Sequence, residues 1–141
     1  MDAPLAWGGD AGGMSGIASE SLTGGRLNAE LAKAVVRIHN QYVGRGPDRG
    51  RAFFRDNIVV VVLEEILTKA EHSLVRAGKA DLVTLMRRHF QATMETELIA
   101  NVERLTGCKV VAFMNDNHAD PDIAAEIFVL DRPVPGGPQA R

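Results

Sequence analysis

Six consecutive apolar residues, Ile58-Val59-Val60-Val61-Val62-Leu63, constrain this chain more than any other feature. Five of them are β-branched. Such side chains suit the pleated surface of a strand and lose rotamer freedom in a helix. The run is far shorter than the ~20 apolar residues of a membrane-spanning helix. An unbroken run, rather than an alternating one, predicts a strand covered on both faces or central in its sheet. Asp56-Asn57 stands just before it, preceded by a short strand pattern from Arg51 to Arg55. Both turn residues tolerate left-handed backbone, so the two strands are expected to form a hairpin.

A second hairpin is expected near the C-terminus. Its strands are Lys109 to Met114 and about Ala125 to Leu130, joined by a polar tip over 115–122. Between and before the hairpins the apolar spacing turns helical. Leu31, Val35, Ile38 and Tyr42 predict a helix from Leu27 to Val43, stopped by Gly44. Thr68-Lys69-Ala70-Glu71 reads as a capping box that starts a short helix, broken at Gly78. A long helix from Lys79 to Leu105 follows, with Leu82, Leu85, Met86 and Phe90 as one half of its apolar stripe and Leu98, Val102 and Leu105 as the other. The order α-ββ-α-α-ββ predicts an α+β fold: a four-stranded antiparallel sheet made of two hairpins, with helices packed on one face.

Residues 1–26 and 133–141 are rich in small residues, Gly and Pro, and are expected to be disordered around a domain at 27–132. Trp7 falls in the first of these segments. The stretch 1–25 lacks the basic and apolar regions of a secretory signal, and a single cysteine, Cys108, allows no internal disulfide. A cytoplasmic protein with no membrane insertion is therefore expected. A net charge of −2 offers nucleic acid no general attraction.

The segment Gly44-Arg45-Gly46-Pro47-Asp48-Arg49-Gly50-Arg51 is the candidate binding site. From Arg26 to Asp56 seven Lys and Arg residues stand against three acids. Arg45, Arg49 and Arg51, with Gly46 allowing close approach, could hold an anion or an acidic partner surface. No Gly-Lys-Ser/Thr follows, so this is not a P-loop. The acidic tip 116–122 fails the EF-hand spacing, with Pro121 where glycine is needed and Ile127 where glutamate is needed. His39, His72, His89 and His118 show no metal-binding spacing, so no metal and no cofactor are expected. Glu64, Glu65 and Glu71 have no nucleophile beside them, which argues against an enzyme. His39 is expected to be partly exposed, Arg87-Arg88 to lie on a solvated face, and Cys108 to be buried.

Several of these segments, taken in order, resemble one bacterial family. They are Gly44-Arg45-Gly46-Pro47, Ile58-Val59-Val60 running into Leu63-Glu64, Leu67-Thr68-Lys69-Ala70-Glu71, Met86-Arg87-Arg88, Leu105-Thr106-Gly107-Cys108-Lys109-Val110-Val111 and Phe128-Val129-Leu130-Asp131. The family is named after MpsC, encoded with the Na+-translocating, membrane-potential-generating Mps system. The resemblance covers about Leu27 to Asp131. It differs at two turns: Glu65 stands where a glycine is expected, and the second hairpin tip is rich in Asn and Asp rather than Ser and Thr. The resemblance implies an accessory or regulatory protein acting through protein contacts, with a component of an ion or inorganic-carbon translocating system as partner. The alternative is a sensor of small anions or nucleotides using the turn 44–51. The exposed edges of a small sheet and its very apolar central run further predict a homodimer.

Overall fold

The computed structural model describes residues 18–44, 46 and 49–136. Arg45, Pro47, Asp48, Trp7 and the rest of 1–17, and 137–141 lie outside the described residues. The order of elements is α1 (Ala18–Val43), β1 (Arg49–Arg55), β2 (Ile58–Glu64), α2 (Lys69–Arg76), α3 (Ala80–Thr106), β3 (Val110–His118) and β4 (Ile123–Leu130). The fold is α+β, as expected, with one antiparallel sheet in the order β1-β2-β4-β3. The apolar run is thus a central strand, flanked by β1 and β4.

Both long helices cover the same face of the sheet. Their core joins Leu31, Val35 and Ile38 of α1 to Val59, Val61 and Leu63 of β2, Phe128 and Leu130 of β4, and Met94, Leu98 and Val102 of α3. Arg37 of α1 donates to Asn101 at 3.2 Å and Tyr42 to Glu97 at 2.9 Å, so α1 and α3 run antiparallel. The Asp56-Asn57 turn, with Asp56 at φ 53°, is fastened to the end of β4. Leu130 N–H donates to the Asn57 carbonyl at 2.7 Å, and the Asn57 side chain donates to the Leu130 carbonyl at 3.1 Å.

Several boundaries differ from the sequence reading. Helix α1 begins nine residues before Leu27, because Gly24 and Gly25 are accommodated within it and Gly24 lies against the Phe54 ring. Strand β3 extends through Asn115, Asp116, Asn117 and His118, which pair with Glu126, Ala125, Ala124 and Ile123. Polar residues read as a hairpin tip there form an edge strand, and the tip is only 119–122. The tail expected to be disordered from Pro133 docks instead through Val134, which is buried and donates its N–H to the Asp56 carbonyl at 2.9 Å.

The stripe assigned to α3 is corrected in its first half. Leu82 and Leu85 are each 50% exposed. The buried line is Val83, Arg87, Gln91, Met94, Leu98 and Val102. Two polar residues, Arg87 and Gln91, face inward, so hydrophobic spacing misplaces Leu82 and Leu85, whereas Phe90 is partly buried against the core as expected.

Candidate functional site

A strand turns alternate side chains to opposite faces, and β2 and β4 divide cleanly by this rule. Under the helices lie Val59, Val61 and Leu63 from β2 and Ala124, Glu126, Phe128 and Leu130 from β4, all buried. The other face carries Ile58, Val60 and Val62 from β2 and Ile123, Ala125, Ile127 and Val129 from β4. None of these is fully buried, and Ile58 is 41% exposed. An antiparallel sheet with one solvated face ordinarily alternates apolar and polar along each strand. Here the middle strands are apolar on both faces, while the described helices cover only one.

The register arranges this open face in four rows. Arg55, Ile58, Val129 and Ala112 form one; Phe53, Val60, Ile127 and Met114 the next. Arg51, Val62, Ala125 and Asp116 form the third; Arg49, Glu64, Ile123 and His118 the fourth. Met114 is 51% exposed. The face is therefore apolar in the middle, cationic along the β1 edge, and acidic at Asp116 on the β3 edge. Patches of this kind mark interaction surfaces.

The candidate turn feeds this edge. Its described glycines have local reasons. Gly44, at φ 85°, closes α1 by donating its N–H to the Asn40 carbonyl at 3.0 Å. A Cβ on Gly46 would meet Asn40 at 3.3 Å, and one on Gly50 would meet Val36 Cγ2 at 2.8 Å. These glycines let the chain pass close to α1. Arg49 and Arg51 are not on a loop but on β1, alternating so that both reach the open face. Arg51 Nη2 donates to Glu64 Oε2 at 3.1 Å, and Arg49 Nε lies 3.7 Å from Glu64 Oε1. An anion arriving there would compete with a carboxylate already in place. Arg45 lies outside the described residues.

Two buried polar pairs lie in the interior, Arg87 with Glu71 and His39 with Glu126, and hydrophobic patterning does not reveal them. Arg87 is buried, not solvated. It donates through Nε to Glu71 Oε2 at 2.9 Å and through Nη2 to the Ile66 carbonyl at 2.8 Å. Glu71 also completes the capping box: its carboxylate accepts from Thr68 N–H at 2.8 Å, and its own N–H donates to Thr68 Oγ1 at 3.1 Å. One carboxylate thus ties together the start of α2, the loop before it and α3. His39 is buried rather than partly exposed, with Nε2 2.8 Å from Glu126 Oε2 on β4. Asp122, where β4 begins, accepts from Leu67 N–H at 2.9 Å and lies 3.3 Å from His72 Nε2. Cys108 is buried, as expected. No group of three or more potential metal-binding side chains occurs among the described residues.

The fold defines a class: a small α+β domain with helices on one face of its sheet and, among the described residues, no layer on the other. Residues 23–132 match the family described as "Na+-translocating membrane potential-generating system (MpsC)", and the chain belongs to that family. The match takes in every strand, α2, α3 and most of α1. Among curated proteins, the chain is similar to the "Uncharacterized protein YrhF" of Bacillus subtilis (strain 168), with 25% identity over 107 residues, 74% of this chain and 88% of YrhF. No solved structure matches it. The segments noted in the sequence coincide with these devices. Leu67 to Glu71 holds the capping box, and Met86-Arg87-Arg88 holds the buried arginine that engages it.

Proposed function

We propose that this chain is a non-enzymatic accessory or regulatory protein that works through protein contacts, using the open face of its sheet to assemble. The observation that carries this reading is the apolar character of that face. Val60, Val62, Ile127 and Val129 stand where an isolated domain would place polar side chains. The family's name ties it to a Na+-translocating membrane system, so a protein component of that system is the proposed larger partner. No helix among the described residues is long and apolar enough to cross a membrane, and the proposed link runs through protein contact on the cytoplasmic side.

Co-sedimentation with membranes tests the reading. Membranes from cells expressing the Na+-translocating system should retain the wild-type chain, and membranes lacking that system should not. Val62→Lys should be released into the soluble fraction while its circular dichroism stays unchanged. Equal retention on both membranes, or retention of a folded Val62→Lys, would overturn the proposal.

A further inference from the structure

Resting on that reading, we infer that the occupant of the open face is a second copy of this chain, packed face to face about a two-fold axis parallel to the strands. The charge pattern selects both occupant and axis. Such an axis preserves height along the strands and exchanges the two edges, so β1 of one copy lies over β3 of the other. Arg51 and Asp116 share one row of the sheet, at opposite ends. The rotation sets each Arg51 against the second copy's Asp116, giving two ion pairs at opposite edges of one apolar layer. In the row above, Val60 and Ile127 of one copy meet Ile127 and Val60 of the other. An in-plane axis perpendicular to the strands would instead stack β1 on β1, arginine on arginine.

Geometry supports the same arrangement. Sheets that pack face to face keep their strands within about 30° of each other and sit roughly 10 Å apart, a gap that arginine can bridge. Four strands of about seven residues give a flat area of roughly 450 Å² per copy, so about 900 Å² for the pair. That lies below the roughly 1,200 Å² at which standard specific interfaces begin, in the range of weak and transient contacts, and points to reversible rather than obligate assembly. Growth through the edges is the competing arrangement, and both edges are blunted. Strand β1 carries Arg49, Arg51 and Arg55, and β3 has a register shift between Val110 and Ala112. With its apolar faces joined, the dimer as a whole, helices outward, is what a larger partner would meet.

Light scattering on the full chain, over a concentration series, should show a reversible dimer, and Val62→Lys should remain a folded monomer. The axis is tested by charge reversal. Arg51→Asp and Asp116→Arg each place like charges opposite one another twice, and each should weaken the dimer by roughly tenfold. An equal mixture of the two variants should recover wild-type association, because the mixed dimer restores both pairs. Arg51 also meets Glu64 within its own chain, so the melting of Arg51→Asp is recorded beside its mass. A monomeric wild type, as expected if residues 1–17 or another protein cover the face, overturns the inference. So does a dimeric Val62→Lys, or a mixture that associates no better than either variant alone. A monomer whose membrane retention still requires Val62 would overturn this inference and leave the accessory reading standing. A dimer that passes every test here yet ignores the membranes would do the reverse.

Discussion

Under the helices, the sheet sets Val59, Val61 and Leu63 beside a fully buried carboxylate, Glu126. On its other side, Val60, Val62 and Ile127 have no layer of described residues above them. The covered face buries a carboxylate among its hydrocarbon, while the open face keeps its charges to the two edges and the ends and is apolar in the middle. The buried polar groups under the helices have partners: Glu126 meets His39, and Glu71 meets Arg87 near the start of α3. Buried pairs of this kind add little net stability, since desolvation offsets their attraction, yet losing one partner is costly. They join α1 to β4 and α2 to α3. Among the described residues the open face has no such specification, and the proposed complement is another surface.

Neighbouring residues of β2 provide the sharpest way to break this comparison. Val61 is fully buried and Val62 faces out. Val61→Lys should force an unpaired ammonium into the core and cost more than about 4 kcal/mol, enough to leave the domain largely unfolded. Val62→Lys should change the stability of the single chain by less than about 1 kcal/mol. Urea denaturation of both variants reads the contrast directly. Similar losses at the two positions would mean that both faces are covered within one chain.

The buried arginine comes next. Arg87→Met leaves the Glu71 carboxylate and the Ile66 carbonyl without their donor, and should cost about 3–5 kcal/mol. Replacing Glu71 by Leu as well should recover part of that loss, as the stranded charge goes with it. A double variant less stable than the sum of the two single effects would show that the pair is not what binds α2 to α3.

How much of this was legible in the sequence follows from which signals are local. The capping box, the Asp56-Asn57 turn and the two hairpins depend on residues close together, and they could be read directly. The open face was half legible. The run Ile58 to Leu63 announced a strand apolar on both sides, but whether two layers of this chain cover it depends on where α1 and α3 come to rest. The buried pairs were not legible. Arg87 and Gln91 on the inward line of α3 look like surface residues until Glu71, 16 positions away from Arg87, is brought against it. His39 and Glu126 are 87 residues apart and lie in different elements. Arg49 and Arg51 were seen as a cationic cluster, but their place on a strand required the β1–β2 register.

Smaller effects probe how the covered face is fitted. Gly50→Ala puts a methyl 2.8 Å from Val36 Cγ2 and 3.3 Å from Leu63 Cδ2, where β1 meets α1. Overpacking there should cost about 1–3 kcal/mol, with partial recovery when Val36 is also cut to Ala. An unchanged melting temperature would show that β1 can lift away from α1 freely. Thr68→Ala removes the acceptor of the Glu71 N–H and should cost about 1 kcal/mol by denaturant titration. The loss should shrink when Glu71 is already Ala, because the reciprocal bond of the capping box has then gone.

The smallest expected change is a gain. Glu65 follows β2 with φ 60°, a left-handed backbone that its Cβ opposes, and it is the position where the family resemblance anticipates glycine. Asp56 adopts a similar φ of 53°, but a short polar side chain tolerates this region better than glutamate does. The strain persists at Glu65 because the turn is held from outside. Its N–H donates to the Asp122 carbonyl at 3.0 Å, and the Asp122 side chain accepts from Leu67 N–H. Removing the Cβ should release about 1–2 kcal/mol of left-handed strain. Glycine's larger loss of chain entropy takes back roughly 0.5–1 kcal/mol. Glu65→Gly should therefore stabilise the chain by about 0.5–1 kcal/mol, seen as a higher denaturation midpoint with an unchanged slope. Glu65→Ala keeps the Cβ and should gain nothing. Because Glu65 lies past the end of β2 and belongs to neither face, Glu65→Gly should leave self-association as it was. Equal gains from Gly and Ala would trace the effect to the glutamate charge beside Glu64 instead of to the backbone. A shift in self-association would mean that this turn reaches into the contact surface.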